Sequence, residues 1–247
     1  MITYLYAVGR DLSEIPDVGS GGVGGGALRL VGEAGLQAIV SDVEREAFED
    51  LDEHREDLAW LATVARAHHG VVEAAGREHA IAPLALATVY LDDDRVRAVL
   101  REGHEAFTAV LDRITDRDEW GVKAFMRPSS ASGSGSGPER PTSGAAYLRA
   151  RRTALREGDA AVTEAERVAD EIDAALADLA VAARRHAPQD RSLTGRSERM
   201  VLNGAYLVDR SAADDLRALV GRLAEDRRLD LELTGPWVPY SFAGGAT

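Results

Sequence analysis

Between Arg127 and Ser143 the chain loses almost all of its apolar residues. The central run Ser130-Ala131-Ser132-Gly133-Ser134-Gly135-Ser136-Gly137-Pro138 offers little that could anchor a backbone to a core, so it reads as a flexible loop. On both sides of it, strand-like and helix-like periodicities alternate. No internal repeat recurs at a fixed period. The expected fold class is α+β, with two α+β units of ferredoxin-like strand and helix mix. The total of 247 residues is enough for two small cores. The expected partition is an N-terminal domain over residues 1–117 and a C-terminal domain over 118–247. The second would hold the 127–143 loop, a long helix over 145–186 and an aromatic tail.

In the first half, Ile2 to Val8 is rich in β-branched and aromatic residues and predicts a strand. Ala27 to Val31 and Leu36 to Val43 predict two more around the turn Gly32-Glu33-Ala34-Gly35. Leu58, Leu61, Ala65, His68, Val72 and Ala75 share one face of a helix expected over Glu53 to Ala75. Ile81 to Leu91 is apolar on both alternating faces, which predicts a central strand interrupted at Pro83. Asp92 or Asp93 can cap a helix over Asp94 to Thr115, and Trp120 to Met126 predicts a short strand.

In the second half, Leu148, Leu155, Val162, Ala169, Leu176 and Ala183 recur every seven residues along the long helix, which Gly158 could bend. This stripe fits packing on the helix's own sheet, and equally a seam for a partner helix. Arg199 to Val208 predicts a strand, Ser211 with Asp214 a capping box, and Leu229, Leu231 and Leu233 a half-buried strand.

Composition narrows the chemistry. There are 42 Asp and Glu against 29 Lys and Arg, a formal charge of -13, so nucleic acid is not an expected partner. The chain has no cysteine, which excludes disulfides, thiolate metal sites and thiol catalysis. No apolar run approaches the ~20 residues of a membrane span, and Met1 to Tyr6 lacks the features of a secretory signal. The expectation is a soluble cytoplasmic protein without membrane partners.

Motif by motif, no catalytic, cofactor or metal residue emerges. Gly22-Val23-Gly24-Gly25-Gly26-Ala27 matches a dinucleotide string, but no strand precedes it closely and a strand follows it. It reads as a loop. His68 and His69 are adjacent and point about 100° apart on a helix, so they cannot readily share an ion. His68 lies on the apolar stripe and is expected to be a hydrogen-bonded, partly buried histidine. Asp92-Asp93-Asp94 suits a helix N-terminus. No Gly-x-Ser-x-Gly elbow occurs.

The C-terminal segment is more informative. Trp237, Tyr240 and Phe242 supply three of the 13 aromatics within six residues, stiffened by Pro236 and Pro239. Such a segment is either a strap over its own domain or an apolar docking surface. Trp237, Pro239, Tyr240 and Phe242 are the candidate partner-binding residues. Trp237 is expected to be mainly structural, covering Leu229, Leu231 and Leu233, with Tyr240 and Phe242 nearer the surface.

Several segments together resemble the gas vesicle protein F/L family (GvpF/GvpL). They are Tyr4-Leu5-Tyr6-Ala7-Val8, His68 to Glu73, Pro83 to Val89, Glu119 to Lys123 and Gly144 to Leu148. The most specific are Met200 to Asp209, with its Leu202-Asn203-Gly204-Ala205-Tyr206 centre, and Leu233 to Phe242. The resemblance implies a non-catalytic accessory role in gas vesicle assembly, in the cytoplasm or on the vesicle. The implied partners are the hydrophobic gas vesicle shell protein and other gas vesicle accessory proteins. A protein of this family would act in nucleation or keep the shell protein soluble. Alternatives are a minor structural component retained in the shell, or a small-molecule-binding regulatory or enzymatic module.

Overall fold

Every residue of the first strand, β1 (Ile2–Gly9), is buried. Its apolar letters on both faces demand cover on both sides, and the computed structural model shows how each is covered. The structure describes residues 1–15, 18, 19, 21–49, 57–127, 144–189, 195–225 and 229–244. They divide into two units, Met1–Glu119 with Pro236–Thr247, and Trp120–Gly235.

In the first unit, β1 pairs antiparallel with β3 (Leu36–Val43), which pairs with β2 (Arg29–Glu33). The register shifts between Leu5 and Ala7, placing Tyr6 in a bulge. Tyr4 and Tyr6 belong to the cluster built with Val64, Val71, Val72 and Ala75 of helix α2 (Leu58–Glu78). A one-turn helix, α1 (Glu46–Glu49), adds Phe48 to that cluster. Asp57 caps α2 by accepting the N–H groups of Ala59 and Trp60, both at 3.0 Å. Thr3 points to the opposite face and donates to Asp93, 3.2 Å away, in the first turn of α3 (Asp93–Glu102).

Two expectations for this unit change. Ile81 to Leu91 is not one central strand. It forms β4 (Ile81–Pro83) and β5 (Val89–Tyr90), both paired with β1 at the margin of the sheet. Between them the chain turns, with Ala87 at φ 64° and the Thr88 hydroxyl donating to the Ala85 carbonyl at 2.7 Å. The helix expected over Asp94 to Thr115 is two helices, α3 and α4 (His104–Ile114), meeting at Gly103. A Cβ there would lie 2.9 Å from the Phe107 ring, so the break accommodates that ring. Asp92 does cap α3, accepting the Arg95 N–H at 2.8 Å. Residues 53–56 of the expected helix start lie outside the described residues.

The remaining elements are β6 (Arg117–Met126), α5 (Gly144–Leu179), β7 (Ala182–Arg185), β8 (Met200–Asp209), α6 (Ala213–Glu225) and β9 (Leu229–Trp237). Their sheet has the order β7-β8-β6-β9. The sequence β-α-β-β-α-β with this order is the ferredoxin-like arrangement. Its core joins Trp120, Val122 and Ala124 of β6 to Ala165, Val168, Ala169, Ile172 and Leu176 of α5. Leu202, Tyr206 and Val208 of β8 and Leu216 and Val220 of α6 complete it. Tyr206 donates to Asp173 at 2.6 Å, tying β8 to α5. α5 passes through Gly158 unbroken but ends at Leu179, seven residues before the expected end at His186. The Ala182–Arg185 stretch instead pairs antiparallel with β8. Its alanines suit either state, and the free edge of β8 decides. The expected 127–143 loop lies, beyond Arg127, outside the described residues.

Candidate partner-binding site

The C-terminal tail departs furthest from expectation. From Pro236 onward it belongs with the N-terminal unit, not with the domain that precedes it in sequence. Gly235, inside β9, has φ 116°, a backbone conformation that favours glycine. Val238 packs against the Tyr4–Val72 cluster. Pro239, buried, precedes the one-turn helix α7 (Tyr240–Ala243). Phe242 and Ala243 are each only 6% exposed, and α7 lies against α4 and β4. The Glu119 carboxylate pins the turn, accepting the Ser241 N–H at 2.7 Å and the Ser241 hydroxyl at 2.6 Å.

The candidate residues thus split. Pro239 and Phe242 are anchors, whereas Trp237 is 47% and Tyr240 36% exposed. This reverses the expected roles of Trp237 and Phe242. Leu229, Leu231 and Leu233, the residues expected beneath Trp237, pack in or against the core of the second unit, a cluster that does not include Trp237.

Tyr240 borders a groove of about 180 Å³ lined also by Ala82, Pro83, Leu84, Ala85 and Phe107. Leu86, 38% exposed, sits on the adjoining turn between β4 and β5. Two stretches quoted for the family resemblance therefore meet here: the one that begins at Pro83 and the tail. Apolar lining with few charges makes the groove suited to an apolar side chain rather than to an ionic ligand.

A buried polar network holds this turn from beneath. The Tyr4 hydroxyl accepts the Ala87 N–H at 2.9 Å and shares a hydrogen bond with His68 Nδ1 at 3.1 Å. The Tyr6 hydroxyl accepts the Val23 N–H and pairs with Ser41 Oγ, both at 2.7 Å. This fixes the Gly-rich loop on the sheet, which is its visible role in the fold. Burial lowers the His68 pKa to about 4, with the neighbouring His69 acting in the same direction. His68 is therefore neutral at physiological pH. Its Nε2 faces the Leu84 backbone without a hydrogen bond of regular geometry. The Tyr240 ring stacks 6.3 Å from His69 and lies 6.4 Å from His68, and burial raises its phenol pKa. Leu86 and Glu119 both fall in stretches that resemble the family, Pro83 to Val89 and Glu119 to Lys123, but neither is among the partner-binding candidates of the sequence.

Among the described residues, no three His, Asp or Glu side chains gather in a way that could hold a metal ion. Among them, too, no helix is long and apolar enough to cross a membrane.

Known proteins place this arrangement in context. Residues 2–244 match the family of gas vesicle synthesis proteins GvpL/GvpF. Gas vesicle protein L of Streptomyces sp. (strain CB03234) is 39% identical over 98% of this chain and 93% of its own length. Gas vesicle protein F of the same strain is 29% identical over 98% and 99%. Among solved structures, GvpF from Microcystis aeruginosa superposes with a TM-score of 0.66 at 14% identity, covering 98% of both chains. GvpF from Anabaena sp. PCC7120 superposes at 0.65 and 18% identity, covering 98% of this chain and 95% of its own. With the match running from β1 to the tail, the chain belongs to the GvpL/GvpF family of gas vesicle synthesis proteins.

Proposed function

We propose that this protein is a non-catalytic accessory factor of gas vesicle assembly that binds the hydrophobic shell protein through the tail and the Pro83–Thr88 turn. It acts in the cytoplasm, on the growing vesicle or its precursors. The observation that carries this reading is the apolar groove between Tyr240 and the Ala82–Ala85 stretch, with exposed Leu86 next along the chain, and with the tail held by buried Phe242 and by Glu119. A stiff, anchored apolar edge can engage an apolar partner with little ordering cost. A shell subunit with a large apolar face aggregates unless something covers it. The formal charge of -13 on the accessory chain would keep such a complex dispersed.

The test is co-purification of the shell protein with the wild-type chain and with Leu86→Glu and Tyr240→Ala variants. Leu86 is exposed, so Leu86→Glu should leave the melting curve close to wild type; Tyr240→Ala removes a partly covered ring and should lower it modestly, while shell-protein recovery from the folded protein falls in both. Undiminished recovery with both variants would move the shell contact elsewhere on the chain.

A further inference from the structure

The N-terminal end of α5 carries a second surface, independent of the tail. Every described residue from Ala145 to Ala161 is exposed. Within it Leu148 is 56% and Leu155 60% exposed. They continue, at seven-residue spacing through Val162, the stripe that ends in Ala169 and Leu176, both 0% exposed in the core of the second unit. The sheet thus covers one half of a single stripe and leaves the other half open.

The charge on the open half is equally unusual. Residues 144–156 contain Arg149, Arg151, Arg152 and Arg156 and no acid, in a chain of formal charge -13. Residues 157–178 reverse this, with eight acids against Arg167 alone. A helix dipole favours acids at the N-terminus and bases at the C-terminus, so this order opposes it. Several arginines elsewhere are matched: Arg29 bridges Asp42 and Asp93, Arg185 bridges Asp170 and Asp173, and Arg199 meets Glu166. None of the four on the open half has an ion-pair partner among the described residues. A bare helical stretch of this length is also marginal in water on its own.

We infer that the 144–162 segment of α5 is a docking surface for an acidic amphipathic helix of a partner protein. Arg151 and Arg152 lie three and four residues after Leu148 and just before Leu155, so they flank the stripe on both sides. A partner helix with an apolar seam bordered by Asp and Glu would cover the leucines and neutralise the arginines. Two copies of the open half would set Arg against Arg. The acidic half of another copy has already committed its stripe to its own sheet. The stripe is one residue wide, too narrow for the broad apolar face with which helices lie on lipid.

The probe is a labelled synthetic helix of about 28 residues with Leu at the seam positions and Glu beside them. It is compared with a Lys-for-Glu version and with a Glu version carrying Gln at the seam. Fluorescence anisotropy with the full-length chain should show salt-sensitive binding of the Leu/Glu helix only. Arg151→Glu with Arg152→Glu should weaken it by roughly tenfold or more and create binding to the Lys version. Leu148→Gln with Leu155→Gln should weaken it comparably. Equal binding of the Leu and Gln helices, or binding that survives the charge reversal, would overturn the assignment. So would arginine-dependent sedimentation with phosphatidylglycerol vesicles in the absence of peptide binding. Self-association lost in the Leu148→Gln/Leu155→Gln chain would replace the partner helix with a second copy.

Discussion

A methyl group at Gly76 tests the docking of the tail directly. Gly76 lies near the end of α2, and a Cβ built there falls 2.3 Å from Val238 Cγ2 and 3.5 Å from Val238 Cβ. Two effects oppose each other in Gly76→Ala. Alanine in a helix is favoured over glycine by about 1 kcal/mol. Overpacking a filled contact costs about 1–3 kcal/mol. Carbon atoms pack at about 3.5–4.0 Å, so the overlap is more than about 1 Å, and a β-branched valine has little freedom to turn away. The clash should win, giving a net loss of about 1–2 kcal/mol. With Val238→Ala in the background, the offending methyl is gone and the remaining Cβ contact is ordinary. There Gly76→Ala should stabilise by up to about 1 kcal/mol. The coupling between the two sites should then be about 2–3 kcal/mol, the range expected for side chains in contact. Urea unfolding followed by far-UV circular dichroism gives the energies. Hydrogen exchange in β1 and α2 peptides reports the first unit separately. If Gly76→Ala stabilises equally in both backgrounds, the tail does not pack on α2 and the reasoning fails.

Two further outcomes follow from burial. Phe242→Ala should lower stability by about 3–5 kcal/mol, as large core truncations do, whereas Trp237→Ala, removing a half-exposed ring, should cost clearly less; melting curves in the opposite order would restore the expectation that Trp237 is the anchor. For His68, the folded pKa of about 4 lies below the ordinary histidine value of 6.5, so the unfolded chain binds more protons between those values and stability should fall as pH drops from about 6.5 to about 4, by about 3 kcal/mol in all. Urea midpoints against pH should lose that slope in His68→Gln, and an unchanged slope would assign it to other groups.

The elements legible in the sequence were those whose neighbours are dictated by their own pattern. β1, β3 and β8 announce themselves by runs of apolar and β-branched residues, and they take up the central positions such runs require. The cap at Asp92 and the buried, hydrogen-bonded His68 were legible for the same local reason. What was not legible depended on competition at a distance. The two apolar faces of Ile81 to Leu91 suit a long central strand, yet the Tyr4 hydroxyl and the β1 backbone hold a turn at Ala87 and Thr88 instead. Ala183 continues the heptad stripe, yet the free edge of β8 claims it as strand. Averaging charge over the chain hid the four arginines of residues 149–156, because the acids that outnumber them lie elsewhere. Of the candidate site, the aromatic tail was visible. Its anchors were not, because Glu119 and Gly76 are far from it in sequence.

That distance has a consequence for how the site comes into being. The core around Tyr4, Tyr6 and His68 is built from about the first third of the chain and the turn after β4, but Val238, Pro239 and Phe242 arrive only after the whole of residues 120–235. Contacts of such sequence separation carry a loop-closure cost and tend to form late. Tyr240 has its position because Phe242 is buried beneath the segment and Ser241 is held by Glu119. Without the tail, the Pro83–Thr88 turn keeps its hydrogen bonds to Tyr4 and β1 but loses the wall that makes it a groove. In the proposed reading, the shell-binding edge is therefore a property of the completed chain. An incomplete chain exposes the apolar turn without the aromatic partner that gives it shape. The two prolines lower the cost of this late step, since they restrict the tail before it docks and less freedom is lost when it does.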